Sequence, residues 1–317
     1  MFTLIKRLQE LLSKLKRNKG LWFTSLSVIS ISAIFFCMYI ITTMTDKVSQ
    51  EVYQSMSNTY ELNLSAKFEQ KQKQFQKLVI PILQNQPLLN SVETNNKEIM
   101  NQFQNRLNDE FVKAGFLDLN ISFISTLSRD QIFRNTINSI ITSKMPIFGS
   151  EVLADGIFLV YLYPLIKDGN VFGVIEIKES IHNLRAMFTR ENSEYTFILD
   201  KKMLTFISLE SKTGKYKDVN QTYTIENTRY DTRFAGLLSE IKDDTFKIFL
   251  ENKYLVADGY YRSVKKVTDI NGVDIGLIIV GESTELSGGF VNIADNMTKQ
   301  VTTVALGLII AIILFLF

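Results

Sequence analysis

The chain carries an uncharged run of 24 residues at positions 21–44 (LWFTSLSVISISAIFFCMYIITTM), and no other feature limits its possible folds so strongly. At 1.5 Å per residue such a helix reaches ~36 Å, enough to cross a hydrocarbon core of about 30 Å with some tilt. Trp22 sits at one edge of the run, where an indole prefers the membrane interface. A cleaved signal peptide fits less well. Its apolar region would be roughly 7–15 residues, and Thr42, Thr43 and Met44 make a poor small-residue cleavage site. A second apolar run, 301–317 (VTTVALGLIIAIILFLF), closes the chain without a basic residue after it. Its length is at the short end of a span, so the expectation is the start of a second transmembrane helix in a piece of a longer protein, rather than a natural truncation.

Charge orients the first run. Lys6, Arg7, Lys14, Lys16, Arg17 and Lys19 against Glu10 give residues 1–20 a net +5, which leaves −3 for the rest of a chain whose total is +2. Basic residues stay on the cytoplasmic side, so 1–20 reads as a cytoplasmic tail and the region between the runs as extracytoplasmic. The basic charge therefore belongs to the tail and not to a nucleic-acid surface. The one cysteine, Cys37, lies within the first run, so the middle has no disulfide and no thiol chemistry. A domain of its length can rest on its own core, as in a bacterial periplasm.

No glycine occurs between Leu21 and Ala114 and no proline before Pro81, which predicts a long helix continuing from the membrane. Val48, Val52, Met56, Tyr60, Leu64, Phe68, Phe75, Val79 and Ile82 recur at spacings of mostly four and form its apolar stripe. Pro81 is expected to kink or end it, and 84–89 (QNQPLL) to form a turn. A second amphipathic helix, with Ile99, Phe103, Leu107 and Phe111, runs to about Lys113 and is capped by Gly115. Residues 119–127 alternate as a strand does. Residues 156–165 and 171–178 around Asp168-Gly169 read as a hairpin, followed by a short helix over 180–190. Further strands are predicted over 195–200, 203–208, 253–264 and 274–282, with a helix over 234–251. The two halves share a strand, an Asp/Asn-Gly turn and a second strand, which suggests two related α/β modules.

With these elements in place, the chain resembles the extracytoplasmic region of bacterial Cache-type receptors, especially double-Cache methyl-accepting chemotaxis receptors. The likeness rests on the long helix, on ILQNQPLLNSV at 82–92, on YPLIKDGNVFGVIEIKESI at 163–181 and on DINGVDIGLIIVGES at 269–283, and covers about 45–300. The expected fold class is α+β: a long membrane-proximal helix, then two PAS-like Cache modules with antiparallel sheets, flanked by two transmembrane helices. The resemblance divides the chain into a stalk and second helix at 45–115, a membrane-distal module at 116–192 and a membrane-proximal module at 193–290. It implies a small-molecule ligand bound on the distal sheet, a homodimer in the bacterial inner membrane, and a cytoplasmic signalling domain not present in this sequence. The amino-acid-binding subgroup uses a Tyr, Arg, Trp, Tyr, Asp constellation; with Trp22 the lone tryptophan, that pattern is incomplete here.

The residue inventory argues against catalysis. His182 is the only histidine and Cys37 lies in an apolar run, so no zinc set, Cys-His pair or Ser-His-Asp triad can be assembled. No glycine-rich phosphate loop precedes a helix. No cofactor is expected, and His182 reads as structural. A binding pocket needs a few convergent polar groups on an apolar wall. In the distal module the candidates are Arg129, Arg134, Tyr161, Tyr163 and Glu176. Glu176 interrupts an apolar strand and must be paired or wet. Arg134 can pair with it or with a ligand carboxylate. In the proximal module the candidates are Tyr223, Arg229, Tyr230 and Asp231 with Tyr260, Tyr261 and Arg262, as a solute cage or a module interface. The expected function is the ligand-sensing input of a chemoreceptor. The alternatives are the input domain of a histidine kinase or diguanylate cyclase, and a membrane-anchored structural or assembly protein.

Overall fold

The computed structural model describes residues 19–128, 134–230, 232–284, 299, 300, 302–304, 306, 307 and 310. Two compact units divide the chain, Met1–Ser55 with Ser287–Phe317, and Met56–Leu286. The basic tail and most of 301–317 lie outside the described residues, as do Arg129 and Asp231. The run 21–44 has helical backbone, but most of its side chains are also outside them. Among the described residues no helix is long and apolar enough to cross a membrane.

Helix α1 (Lys19–Leu83) includes Pro81 in its last turn and ends two residues later, in keeping with the end expected near the proline. In the Met56–Leu286 unit its stripe buries Met56, Leu64, Phe75, Val79 and Ile82. Polar residues share that stripe: Ser57, Lys67 and Lys71 are buried as well. The stretch expected as a turn opens a second helix, α2 (Gln86–Glu93). Asn85 caps it by accepting from Leu88 N at 3.2 Å, and Pro87 sits in the first turn, where its missing N–H costs nothing. Helix α3 (Lys97–Lys113) follows as the periodicity predicts, capped by Asn96.

The first sheet contains β1 (Leu119–Ser125), β2 (Ile147–Leu153), β3 (Gly156–Lys167) and β4 (Asn170–Ser180) in the order β1-β4-β3-β2, all antiparallel. Asp168 and Gly169 both have positive φ (50° and 77°), which the tight β3–β4 turn requires. Strand alternation gives the sheet two apolar faces. Ile121, Phe123, Leu159, Tyr161, Ile175 and Ile177 join Phe75, Val79, Leu88 and Val92 in the main core. Gly173 lets α2 approach this sheet: a Cβ there would lie 2.3 Å from Val92 Cγ1. On the other face Ile124, Val160, Leu162 and Val174 pack under Ile137 and Ile140 of helix α4 (Asn135–Ser143).

After α5 (Arg185–Thr189) the second sheet is built from β5 (Glu194–Asp200), β6 (Tyr216–Asp218), β7 (Tyr223–Glu226), β8 (Tyr254–Ala257), β9 (Tyr260–Thr268) and β10 (Asp274–Ser283), in the order β6-β7-β5-β10-β9-β8. Three sequence expectations fail here. Residues 203–208 are not a strand, because the Asp200 carboxylate accepts from Lys202 N at 2.9 Å and turns the chain into a 3-10 helix, Lys201–Thr205, followed by the short helix α6 (Leu209–Lys212). The helix expected over 234–251 is broken into α7 (Arg233–Gly236), a 3-10 turn and α8 (Asp243–Asn252), with Ile241 and Lys242 extended between them. Asp243 and Asp244 then suit the positive end of α8. The stretch 253–264 is a hairpin and not one strand, since Asp258 and Gly259 adopt φ of 54° and 78°. Asp-Gly is the residue pair such a turn favours.

Candidate functional site

Arg134 stands at the N-terminal boundary of α4 in an extended conformation and makes no capping bond, which leaves its side chain to reach over the sheet. The Arg134 guanidinium donates from Nη1 to Glu176 Oε1 at 2.6 Å. It grips Glu151 side-on, from Nε to Oε1 at 3.2 Å and from Nη2 to Oε2. Ser122 Oγ donates to the other Glu176 oxygen at 2.9 Å, and Thr136 Oγ1 to Glu151 Oε1 at 2.9 Å. Register explains the convergence. Glu176 pairs across with Ser122 on one side and Leu162 on the other, on the face roofed by α4. Glu151 comes to the same face from the edge strand β2, opposite Phe158.

Both carboxylates are nearly enclosed, their side chains 9% and 8% exposed, while that of Arg134 is 29% exposed. Burial opposes the charge on Arg134, but the Glu176 and Glu151 carboxylates outweigh it and hold the Arg134 pKa above its ordinary value. Two carboxylates to one guanidinium leave the cluster at −1. Lys178, on the same face, is engaged by Asp155 at 2.6 Å.

The five distal candidates therefore do not form one constellation. Arg134 and Glu176 meet, whereas Arg129 lies outside the described residues. Tyr161 and Tyr163 pair with Ile177 and Ile175, so period-2 alternation sends both rings to the opposite face, into the main core. Tyr161 is buried there, which raises its pKa. Sequence reasoning missed Glu151, Ser122 and Thr136. IFGSEVL at 147–153 shows no clean alternation, so β2 was not legible and the position of Glu151 on a buried face was not either.

The proximal candidates separate into three places. Tyr223 packs against Phe246 with the rings tilted by 37° and their centres 5.8 Å apart. Arg229 pairs with Asp118, just before β1, at 3.0 Å, and Arg185 Nη1 donates to its carbonyl at 2.9 Å. Tyr230 is buried, accepts from Phe197 N at 3.0 Å and lies 2.6 Å from His182 Nδ1. The other nitrogen of His182 is 2.8 Å from Glu226 Oε2 but not aligned as a hydrogen bond. Burial works against the Glu226 charge, yet His182 and then Arg229 and Lys215 outweigh it and lower the Glu226 pKa. These groups tie the end of β4 to the second sheet, an interface and not a cage. Asp231 lies outside the described residues. Tyr261 turns toward α1, stacking with Tyr60 at 5.9 Å, and burial and the neighbouring phenol raise its pKa. Tyr260 and Arg262 share the opposite face with Phe234.

The two sheets also meet through the β9–β10 turn. Ile270 N donates to Ser150 O at 3.0 Å, and the Ile270 side chain packs on the apolar cluster beneath α4. Gly149 makes room for it; a Cβ there would lie 2.8 Å from Ile270 Cγ1. An open cleft of about 520 Å³ runs alongside, between Leu64, Phe68 and Gln72 of α1, Phe148 of β2 and Lys265 and Thr268 of β9. Ser150 and Glu151 are adjacent, so the carboxylate that Arg134 holds and the carbonyl that Ile270 holds move with one short piece of backbone.

No family model matches the chain, and no curated protein matches it. Solved structures do. The ligand-binding domain of Mlp24 with asparagine is similar over 82% of this chain and 99% of its own, at 13% identity and a TM-score of 0.34. The ligand-binding domain of the Campylobacter jejuni chemoreceptor Tlp3 with 4-methylisoleucine is similar over 78% and 94%, at 13% identity and 0.39. The sensor domain of the Vibrio cholerae histidine kinase DctB is similar over 73% and 98%, at 11% identity and 0.34. By name the three are a ligand-binding domain, the ligand-binding domain of a chemoreceptor and the sensor domain of a histidine kinase.

Proposed function

We propose that the chain is the extracytoplasmic sensing and transmembrane signalling part of a bacterial chemoreceptor. Its first module lies far from the membrane and takes a small solute bearing an ammonium group. The observation that carries this reading is the Arg134–Glu151–Glu176 cluster, buried under α4 with one carboxylate charge in excess. Protein carboxylates already occupy the Arg134 fork, so a ligand carboxylate gains little there, while a ligand cation meets an uncompensated charge. The membrane reading draws on the run 21–44, where the described large side chains, Val28, Ile31, Phe35, Phe36, Tyr39, Ile40 and Met44, are all exposed. A lipid environment suits such a helix.

Solute binding biases the position of β2. Through Ser150 and Ile270 that bias reaches the β9–β10 hairpin, whose second strand is followed in the sequence by the apolar run at 301–317. The ligand acts only through its differential affinity for two arrangements. Leu62 and Ile80 of α1, both exposed, are 18 residues or about five helical turns apart on one face, and form the seam for a second copy. The same input can drive a histidine kinase or a diguanylate cyclase, because the output domain is grafted separately. The test is thermal unfolding of the chain in detergent against primary amines, amino acids, organic acids and purines. An amine-bearing compound should raise the melting temperature in wild type and not in Glu176→Gln. A blank screen on a folded protein, or a hit indifferent to Glu176, would remove the reading in favour of an assembly role.

A further inference from the structure

Burying a charge without a counter-charge is expensive, and proteins rarely leave one so. Lys67, Lys71, Glu151, Glu176 and Glu179 are buried, and each has an oppositely charged group within 4.0 Å. Among the described residues, Arg262 is the exception. It is 0% exposed, on the inner face of β9, and its one hydrogen bond runs from Nη1 to Ala257 O at 3.0 Å. The guanidinium lies over the rings of Phe234 and Tyr260, 5.2 and 5.1 Å from their centres. Among the described residues Nε and Nη2 have no partner. Those two N–H groups share one edge of the guanidinium and point in parallel, the spacing a carboxylate matches with two oxygens. The same protein uses that edge in this way elsewhere, where Arg134 Nε and Nη2 hold the two oxygens of Glu151. Gly281, opposite Arg262 in the register, brings no side chain against it.

We propose that the second module has its own site for a small monocarboxylate, bound side-on by Arg262 Nε and Nη2 beside the Phe234 and Tyr260 rings that the guanidinium covers. Aromatic faces and one charged fork make a site suited to a compact anion with a short apolar tail. Desolvation, which lowers the Arg262 pKa, also marks the cost that such an anion would relieve. The site is separate from the Arg134 cluster and does not depend on the ammonium reading.

The experiment is thermal unfolding of the full 317-residue chain in detergent with sodium acetate, pyruvate or lactate, against sodium chloride at equal ionic strength. At ten times Kd the melting temperature should rise by about 3–6 °C. Glu176→Gln should keep that rise, which separates this site from the first. Arg262→Lys, which keeps the charge and loses the fork, should abolish it. Arg262→Met should abolish it and also melt higher than wild type without carboxylate, since an uncompensated buried charge is gone. The proposal is overturned if no carboxylate shifts the wild type, if the shift survives both Arg262 variants, or if Arg262→Met melts well below wild type while remaining folded.

Discussion

Arg134→Met removes the one cation that holds two buried carboxylates, and its cost follows from the geometry. Breaking a buried ion pair by deleting one partner costs about 3–5 kcal/mol, because the other charge stays in place. Here two carboxylates are orphaned, about 9% and 8% exposed, which argues for the upper part of that range. The partial exposure of Arg134 lets water reach them and pulls the value down. In the unit Met56–Leu286, about 230 residues, 1 kcal/mol moves the melting temperature by about 2–4 °C, so the variant should melt roughly 6–20 °C below wild type at pH 7. Replacing the carboxylates as well, in Glu151→Gln/Glu176→Gln/Arg134→Met, removes the orphaned charges and should close most of that gap. Circular dichroism melts measure both variants. A gap below about 1 kcal/mol, or one that the triple variant does not close, would show that the carboxylates are not enclosed as the geometry implies.

Lys71 and Glu179 form a second buried pair, Nζ to Oε2 2.6 Å, with Asn183 Nδ2 donating to the other oxygen at 3.1 Å. Lys71→Met should cost about 3–5 kcal/mol and Lys71→Met/Glu179→Gln much less; equal losses in urea unfolding would deny the pairing. Glu226 has a lowered folded pKa, so its contribution is present above the unfolded carboxylate value of about 4.3 and lost as pH falls through the folded one. Glu226→Gln should accordingly lose less stability than wild type between about pH 5 and pH 3, and parallel acid limbs would refute this. Ile270→Ala should cost about 1–2 kcal/mol, since the side chain is only partly buried, and should leave solute binding intact while abolishing any ligand-dependent change in crosslinking at Leu62→Cys. An unchanged crosslinking response would take the β9–β10 turn out of the signal path.

The elements legible in the sequence were those with a strong local cause. The stripe along α1, the spacing-four pattern of α3 and the Asp168-Gly169 turn are each written in a few nearby residues. The stretch 203–208 was misread because its apolar pattern competes with a capping bond from Asp200 that composition does not reveal. The Asp258-Gly259 pair is a turn signal within 253–264, and its positive φ angles divide that stretch into two strands. Glu176 was legible as a charge inside VIEI, and Arg134 as its partner. Glu151 was not, because it joins them through the pairing of an edge strand whose own sequence has no period. Tyr161 and Tyr163 drew attention as aromatic residues, but alternation along β3 turns them away from the charges. Arg262 was named as one of several polar groups. Only the structure isolates it as a buried cation with two free donors.

Calorimetric titration of the chain with an amine found by thermal screening, in wild type, Glu151→Gln and Glu176→Gln, bears most directly on the sensing role. Each substitution brings the Arg134 cluster from −1 to neutral while keeping a hydrogen-bond acceptor. The account predicts saturable one-site binding in wild type and at least a tenfold loss of affinity in both variants, with the folded baseline preserved. Undiminished affinity in both would place the solute elsewhere and contradict the proposal that this buried charge imbalance is what the protein uses to recognise its ligand.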